Sequence, residues 1–506
     1  MTQSRRDLGK AEERSEHRSE LSLDPSRWEE FRDLAHRALD DALDLIENVR
    51  ERPVWRPVPQ HVSAALLEPP PVHGAPLEDV YRRFQESILP YATGNIHPRF
   101  FGWVHGTGLA SGVIAEMLAA AMNANCGGRD HGAIYVERAV LEWWKSLFGL
   151  PPQATGLLVS GTSMANMIGL AVARNSRTSA GVRAGGLKDY PDRLVAYASA
   201  EGHESIVKAI ELLGLGSAAL RKIPVNAHFE IEVAALQQAI RQDRCAGLEP
   251  FCVIGTAGSV NTGAIDNLEA LASLCADEKL WFHVDGAFGA LCILSDRLRS
   301  QMKGIERADS IAFDFHKWMY VQYDAGCILV RNGDLHRASF SMRPPYLKHL
   351  QRGLAGGQDW PCEFGPELSR GFRALKIWFA MKEHGTQKLG ETIEQNCAQA
   401  QYLADRVRRE PELELLAPVR LNVVCFRFRA DGLEAADLDK INEDVVADIQ
   451  EAGIAAPSTT RIRGSLAIRA AITNHRSRRP DFDILVDAVL EAARRRALTP
   501  AAGGQA

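Results

Sequence analysis

Four stretches of the 506-residue chain place reactive or anion-binding residue types directly after short apolar runs. In LLVSGTSMANMIGL a strand-like run ends at Ser160, Gly161 and Thr162 make a tight turn, and a helical pattern opens at about Ser163. Small residues leave backbone N–H groups open there, and a helix start favours an anion such as phosphate. A plain strand-to-helix turn with a serine cap has the same pattern. In LWFHVDGAFGA, Asp285 ends an apolar run and precedes Gly286 and Gly289. A carboxylate so placed is costly without a cation or strong donors, so it either holds a ligand's protonated nitrogen or caps a turn. In SIAFDFHKWMYVQYDAG, Lys317 lies between His316 and Trp318, among Phe313, Phe315, Met319 and Tyr320. Apolar surroundings disfavour the ammonium form and free the amine to attack a carbonyl, unless the side chain snorkels to water. In EGHESIVKA, His203 follows RLVAYAS, where an imidazole can stack on a planar ligand, move a proton or bond to backbone.

The elements that must carry these residues are legible as alternating runs. GLLVSG, RLVAYAS, FCVIGT, LWFHVDG, SIAFDF and GCILVR read as strands, and helical patterns such as MANMIGLAVARN, ESIVKAIELLG, EVAALQQAIRQ and NLEALASLCADE separate most of them. Uninterrupted apolar strands between helices predict a mostly parallel sheet buried on both faces, and ligands of such sheets gather at the carboxyl ends of the strands. This large α/β domain is expected over 106–368. Before it, 23–105 carries two amphipathic helices, one with Trp28, Phe31, Leu34, Ala35, Leu39 and Leu43, the other with Leu77, Val80, Tyr81, Phe84 and Ile88, joined through the extended RPVWRPVPQ. Neither helix can bury its apolar stripe alone, so another domain or subunit is expected to cover it. After it, a long helix LSRGFRALKIWFAMKEHG, strand VVCFRF, helix DLDKINEDVVADIQEAG and strand LAIRAA predict a small α+β domain over 369–495. Residues 1–22 and 496–506 read as polar, disordered tails.

Composition narrows the function class. With 46% hydrophobic and 24% charged residues the balance is that of a globular chain, long enough for two or three domains. A net charge of −5 gives no electrostatic reason for nucleic acid or an anionic membrane as partner. The arginine-rich RIRGSLAIRAAITNHRSRR alternates as a strand does and reads as a solvated face. No apolar run approaches the roughly 18 residues of a membrane span. The nine cysteines form no C-x-x-C pair, which fits a reducing cytosol and excludes a zinc ribbon. No H-E-x-x-H occurs either, so no metal is expected. GLGSAA (214–219) imitates a dinucleotide fingerprint but follows a helix rather than a strand.

An anion turn, a buried carboxylate and an apolar lysine on successive strands are together the parts that pyridoxal phosphate needs: a phosphate cradle, an anion at its pyridine nitrogen and an amine for its aldehyde. The sequence resembles the group II pyridoxal-phosphate-dependent amino-acid decarboxylases, the family of aromatic-L-amino-acid, glutamate and cysteine-sulfinate decarboxylases. The resemblance covers about residues 70 to 480 and rests on HPRFFGWV (97–104), SGTSMAN (160–166), IGTAGSVNTGAIDNL (254–268), HVDGAFGA (283–290), ADSIAFDFHKW (308–318), PPYLKH (344–349) and SRGFRALKIW (369–378), with the His203 segment between them.

The resemblance implies the aspartate-aminotransferase-like fold type I, a homodimer with its active sites at the subunit interface, a cytoplasmic location and pyridoxal 5'-phosphate as cofactor. It implies that Lys317 bonds covalently to the cofactor, that Asp285 pairs with the pyridinium nitrogen and that His203 stacks on the ring. Thr162, Ser163, Ser310 and His316 match further cofactor contacts, with Thr256 beside the ring and Ala287 beneath it. Tyr346 falls in the loop that delivers a proton to the substrate Cα; phenylalanine there marks the relatives that make aldehydes. Gly353, Gly356 and Gly357 supply that loop with flexibility. Arg370 matches a ligand of the substrate carboxylate, or is a helix-face arginine, and Trp103 and His105 are expected at the substrate. Departures from the pattern are Asp314, where Asn is frequent; Val104 and His105, where aromatic-specific members carry aromatic or proline residues; and Arg129, Asp130 and His131, in a stretch otherwise more apolar. Those charges mean a polar or acidic substrate side chain, or else a solvated loop or subunit-contact charges. The expected reaction is decarboxylation of an L-amino acid to a primary amine, an aromatic substrate first, with glutamate, aspartate or cysteine sulfinate as alternatives, and an aldehyde synthase or aminotransferase as the rival chemistry.

Overall fold

The computed structural model describes residues 21–178, 182–188, 193–342, 350–357 and 359–498. The helix Trp28–Glu47 forms a unit of its own; it buries Leu34 and leaves Trp28 and Phe31 exposed. Everything from Asn48 onward forms the second unit.

In that unit seven strands make one sheet: β1 (Thr155–Val159), β2 (Leu194–Ser199), β3 (Leu220–Ile223), β4 (Glu249–Thr256), β5 (Trp281–Asp285), β6 (Ser310–Asp314) and β7 (Gly326–Val330), in the order β1-β7-β6-β5-β4-β2-β3. The neighbours from β6 through β3 are parallel, and β7 runs antiparallel to both β1 and β6. All six expected strands are present. β3, which sequence reading missed, is an edge strand whose Arg221 and Lys222 break any apolar run. β2, β5, β6 and β7 are buried at every residue, because helices cover both faces. On one face Trp144, Phe148, Phe313 and Phe315 interlock, with ring centroids 5.0–5.8 Å apart.

The antiparallel β7 places its first residue, Gly326, opposite the last residues of both β1 and β6. A Cβ on Gly326 would come within 2.5 Å of the Gly161 Cα, so only glycine lets the turn after β1 close against β7.

A second, antiparallel sheet comprises β8 (Leu413–Leu415), β9 (Val423–Phe428), β10 (Ser458–Ile462) and β11 (Ser465–Ala471) in the order β10-β11-β9-β8. The helices Ala435–Glu451 and Arg479–Leu498 pack against it. The helix leading into this part begins at Ala374 rather than near Leu368, and Gly385 interrupts it with φ 66°. Backbone bonds explain the late start: Arg370 N–H donates to Asn125 Oδ1 at 3.0 Å and Arg370 O accepts from Cys126 N–H at 2.7 Å, which holds the chain extended.

Candidate active site

The carboxyl ends of the parallel strands converge on a cavity of about 320 Å³, whose walls include His203, Thr256, Asp285, Ala287, His316 and Lys317. Lys317 lies in the single helical turn Phe315–Trp318 that follows β6. Its neighbours Phe315, His316 and Trp318 are buried, and its Nζ lies 3.1 Å from Asp314 Oδ2. Asp314 is thus a counter-ion for the amine, and its Oδ1 accepts the Thr162 N–H at 2.7 Å.

Asp285 ends β5. Its Oδ2 accepts from Asn166 Nδ2 at 3.0 Å and its Oδ1 from the Ala287 N–H at 3.2 Å. Burial raises its pKa, while His203 when protonated, the charge of Lys317 and those two donors act against the rise. A carboxylate in this setting gains most from a cationic partner in the cavity. Thr256 reaches the cavity because Asp266, beyond the end of β4, accepts the Thr256 N–H at 2.8 Å and returns its own N–H to the Thr256 carbonyl at 2.9 Å.

Gly161 precedes the helix Thr162–Arg177, with Ser163 exposed in its first turn. The Thr162 hydroxyl is buried and has no hydrogen-bond partner in the protein. An unmade bond at such a group costs about 1–3 kcal/mol, so an anionic oxygen arriving at this turn would complete it. His316 accepts the Ala325 N–H on Nδ1 at 3.0 Å, burial lowers its pKa, and its ring lies 4.3 Å from that of Tyr323. An amine and a buried carboxylate line the cavity, and the turn at Thr162, outside its lining, is tied to the lysine through Asp314; together they fit a cofactor that carries a phosphate, an aldehyde and a basic ring nitrogen.

The outer wall comes from Trp103, Val104, His105, Phe288 and Tyr323. Trp103 adopts φ 50°, and its carbonyl accepts from Arg469 Nη1 at 2.9 Å; Thr473 Oγ1 donates to the His105 carbonyl at 2.7 Å. The segment bearing Trp103 and His105 is therefore held by β11 and the residues after it.

Three expectations change. Arg370 does not face the cavity. Its side chain is fully buried, its Nη2 lies 2.6 Å from Glu137 Oε1, and Nη1 donates to the Cys126 carbonyl at 2.7 Å. Removing one partner of a buried pair leaves the other charge uncompensated, so Arg370→Met is expected to lower unfolding free energy by about 3–5 kcal/mol in urea titration. A substrate ligand would leave stability unmoved. Ser310 stands at the opening residue of β6, far from the strand's cavity end, and bonds Trp281 Nε1 at 2.8 Å and His283 Nδ1 at 2.7 Å instead. Arg129, Asp130 and His131 line no part of the cavity: Arg129 sits over the Trp360 ring at 4.5 Å, Asp130 accepts from the Tyr135 hydroxyl at 2.7 Å, and His131 lies 3.2 Å from the Asn125 carbonyl. Tyr346 lies outside the described residues. Gly353 and Gly357 adopt φ 83° and 81°, whereas Gly356 does not have positive φ.

Burial holds four imidazoles well below their usual pKa, to about 3 at His283 and His336 and to about 4 at His97 and His475. The unfolded chain binds these protons near pH 6.5 and the folded chain does not, so stability is full above pH 6.5 and lost as pH falls toward 4. Each excluded proton contributes a slope of about 1.4 kcal/mol per pH unit. Urea titrations are expected to show stability falling from pH 7 to 5, each imidazole's share approaching that slope near pH 5, and His283→Gln to remove one of the four shares.

A sequence profile described as the pyridoxal-dependent decarboxylase conserved domain matches residues 59–429. An aromatic-L-amino-acid decarboxylase of Bacillus atrophaeus is 34% identical over 453 residues, covering 89% of this chain and 92% of that protein. A histidine decarboxylase of Drosophila melanogaster is 30% identical over 465 residues, covering 88% of this chain and 53% of that protein. A crystal structure of Oryza sativa TDC with PLP and tryptamine superposes with a TM-score of 0.86 at 27% identity, covering 94% of this chain and 99% of that one. With the cavity, its lysine and its carboxylate in place, the chain belongs to the pyridoxal-dependent decarboxylase family and is a pyridoxal 5'-phosphate-dependent amino-acid carboxy-lyase.

Proposed function

We propose that the enzyme decarboxylates an aromatic L-amino acid to CO₂ and the primary amine. The observation that carries this reading is the outer wall. Trp103, His105, Phe288 and Tyr323 offer ring faces, and among the described lining residues Lys317 is the only lysine or arginine. With Lys317 committed to the cofactor, no lysine or arginine remains among the described lining residues to pair with an acidic side chain, whose burial would then be costly. The relatives named for aromatic substrates support the same choice, and the imidazole of His105 and hydroxyl of Tyr323 are suited to the polar edge of an indole, phenol or imidazole.

In this reading Thr162 and Ser163 receive the phosphate, Thr256, Ala287 and His316 border the ring, Asp285 holds a proton on the ring nitrogen and Lys317 anchors the aldehyde carbon. Bound, the cofactor supplies an electron sink for the electron pair left on Cα when CO₂ departs. His203 accepts Ser205 N–H on Nδ1 at 3.1 Å, so only Nε2 is free to face the cavity. Tyr346 is the proton donor to Cα, and its phenol distinguishes this chain from an aldehyde synthase.

The active unit is proposed to be a homodimer in the cytoplasm. The helix Ala110–Met122 carries one charged residue, Glu116, and exposes Ile114, Met117, Leu118 and Met122 along one stripe, which a second copy would cover. Incubation with aromatic, acidic and imidazole L-amino acids, with assay of CO₂, amine, ammonia and peroxide, tests the function. Amine from an aromatic substrate is expected; preference for glutamate, or ammonia with peroxide in place of amine, would overturn it.

A further inference from the structure

Behind the cavity runs a file of buried polar side chains, unused by the reading above, that ends on Asp285 and His203. Trp281 Nε1 donates to Ser310 Oγ at 2.8 Å, and Ser310 Oγ lies 2.7 Å from His283 Nδ1. His283 Nε2 lies 2.9 Å from Asn166 Oδ1, and Asn166 Nδ2 reaches both Asp285 Oδ2 at 3.0 Å and Ser205 Oγ at 3.1 Å. Ser205 Oγ in turn lies 2.9 Å from His203 Nδ1. Asn166 and His283 are wholly inaccessible to solvent. The helix makes room for the file: a Cβ on Gly169 would meet His283 Cε1 at 2.8 Å.

Counting protons leaves one arrangement. Asn166 Oδ1 can only accept, so His283 Nε2 carries the proton. Burial keeps that ring neutral, so Nδ1 is bare and the Ser310 hydroxyl donates to it while accepting from Trp281. Turning the amide over would set its oxygen against the Asp285 carboxylate, so both N–H groups must face Asp285 and Ser205. The Ser205 hydroxyl then donates to His203 Nδ1, which already accepts the Ser205 backbone N–H, and the His203 proton sits on Nε2.

We propose that Asn166 is a positioning residue for both sides of the cofactor clamp: a single amide, its sense set by His283, steadies Asp285 as the anion facing the ring nitrogen and presents His203 with Nε2–H toward the cavity. The proposal rests on the reading that the cofactor's ring nitrogen faces Asp285 and its ring stacks on His203. Loss of the amide donor raises the affinity of Asp285 for a proton, and that proton then competes with the cofactor's ring nitrogen.

The test titrates pyridoxal phosphate into cofactor-free protein at pH 6.5 and 8.5, followed by tryptophan fluorescence and the visible band, in wild type, Asn166→Leu, His283→Leu and His283→Gln. A hydrogen bond to a charged group corresponds to roughly ten- to a hundredfold in affinity, so both leucine variants are expected to bind the cofactor at least about tenfold more weakly. Their deficit should be larger at pH 6.5 than at 8.5. His283→Gln, whose amide nitrogen can stand where Nε2 stood, is expected to stay within about threefold of wild type at both pH values. If Asn166→Leu does not fold, the contrast between the two His283 variants decides. Binding by the leucine variants within twofold of wild type, or equal loss in His283→Gln and His283→Leu, would overturn the proposal. A wild type without any visible band would instead overturn the cofactor reading beneath it.

Discussion

Replacing Lys317 by alanine is expected to abolish the visible absorbance of the purified enzyme and to lower kcat by about four orders of magnitude or more, as loss of a covalent catalyst does when its partners cannot act without it. The structure explains why no neighbour substitutes. Lys317 is the only amine on the cavity wall among the described residues, and the buried Phe315 and Trp318 fix the turn that points it inward. The fold should survive, because the Lys317 side chain is 21% exposed, its one ion pair among the described residues is with Asp314, and Asp314 keeps the Thr162 N–H as a donor. Absorbance spectra and thermal melts of the variant check both parts: a colourless protein that melts close to wild type is expected. Retained colour, or turnover within tenfold of wild type, would contradict the assignment.

Asp285→Asn is the second large effect, and it is expected to separate stability from activity. The variant keeps the size of the side chain and loses the anion. Activity should fall by about 10²–10³-fold, the scale of removing one preorganised electrostatic contact from a water-excluded site. Stability of the cofactor-free protein should move the other way or not at all. Burial raises the pKa of Asp285, so its charged form costs free energy in the empty site, and a neutral amide removes that cost. Thermal melts without cofactor and turnover with saturating cofactor measure the two effects independently. Loss of stability with activity preserved would mean that Asp285 is structural.

The strands were legible because each is an apolar run between helical patterns, and the turn bearing Lys317 because HKW interrupts apolar residues with a lysine. What escaped sequence reading has a physical reason in each case. β3 is an edge strand with Arg221 and Lys222 in a run of four, so it lacks the apolar signature of its buried neighbours. The late start of the helix at Ala374 depends on Asn125 and Cys126 bonding Arg370, a contact across 244 and 245 positions that no local pattern encodes. Arg370 itself matched a motif, yet its partner Glu137 lies in the helix Gly132–Leu147. Ser310 shares a strand with Asp314 but sits at its opposite end. The file behind Asp285 left a trace that was overlooked: Thr162, Asn166 and Gly169 recur at helical spacing, and His283 and Asp285 alternate onto one face of β5. Read together, those two periodicities place Asn166 against the carboxylate. Trp103 and His105 were expected at the substrate from the motif, but the bonds that hold their segment come from Arg469 and Thr473, more than 360 positions away, and only the folded chain shows them.

Reduction of the resting enzyme with borohydride, followed by proteolysis and mass mapping, tests the central claim most directly, because it converts a carbon–nitrogen double bond between protein and aldehyde into a stable amine. The account predicts one pyridoxyl adduct per chain, on the peptide containing FHKW and at Lys317. An adduct on a different lysine, or none on a protein that carries the cofactor's absorbance, would contradict it.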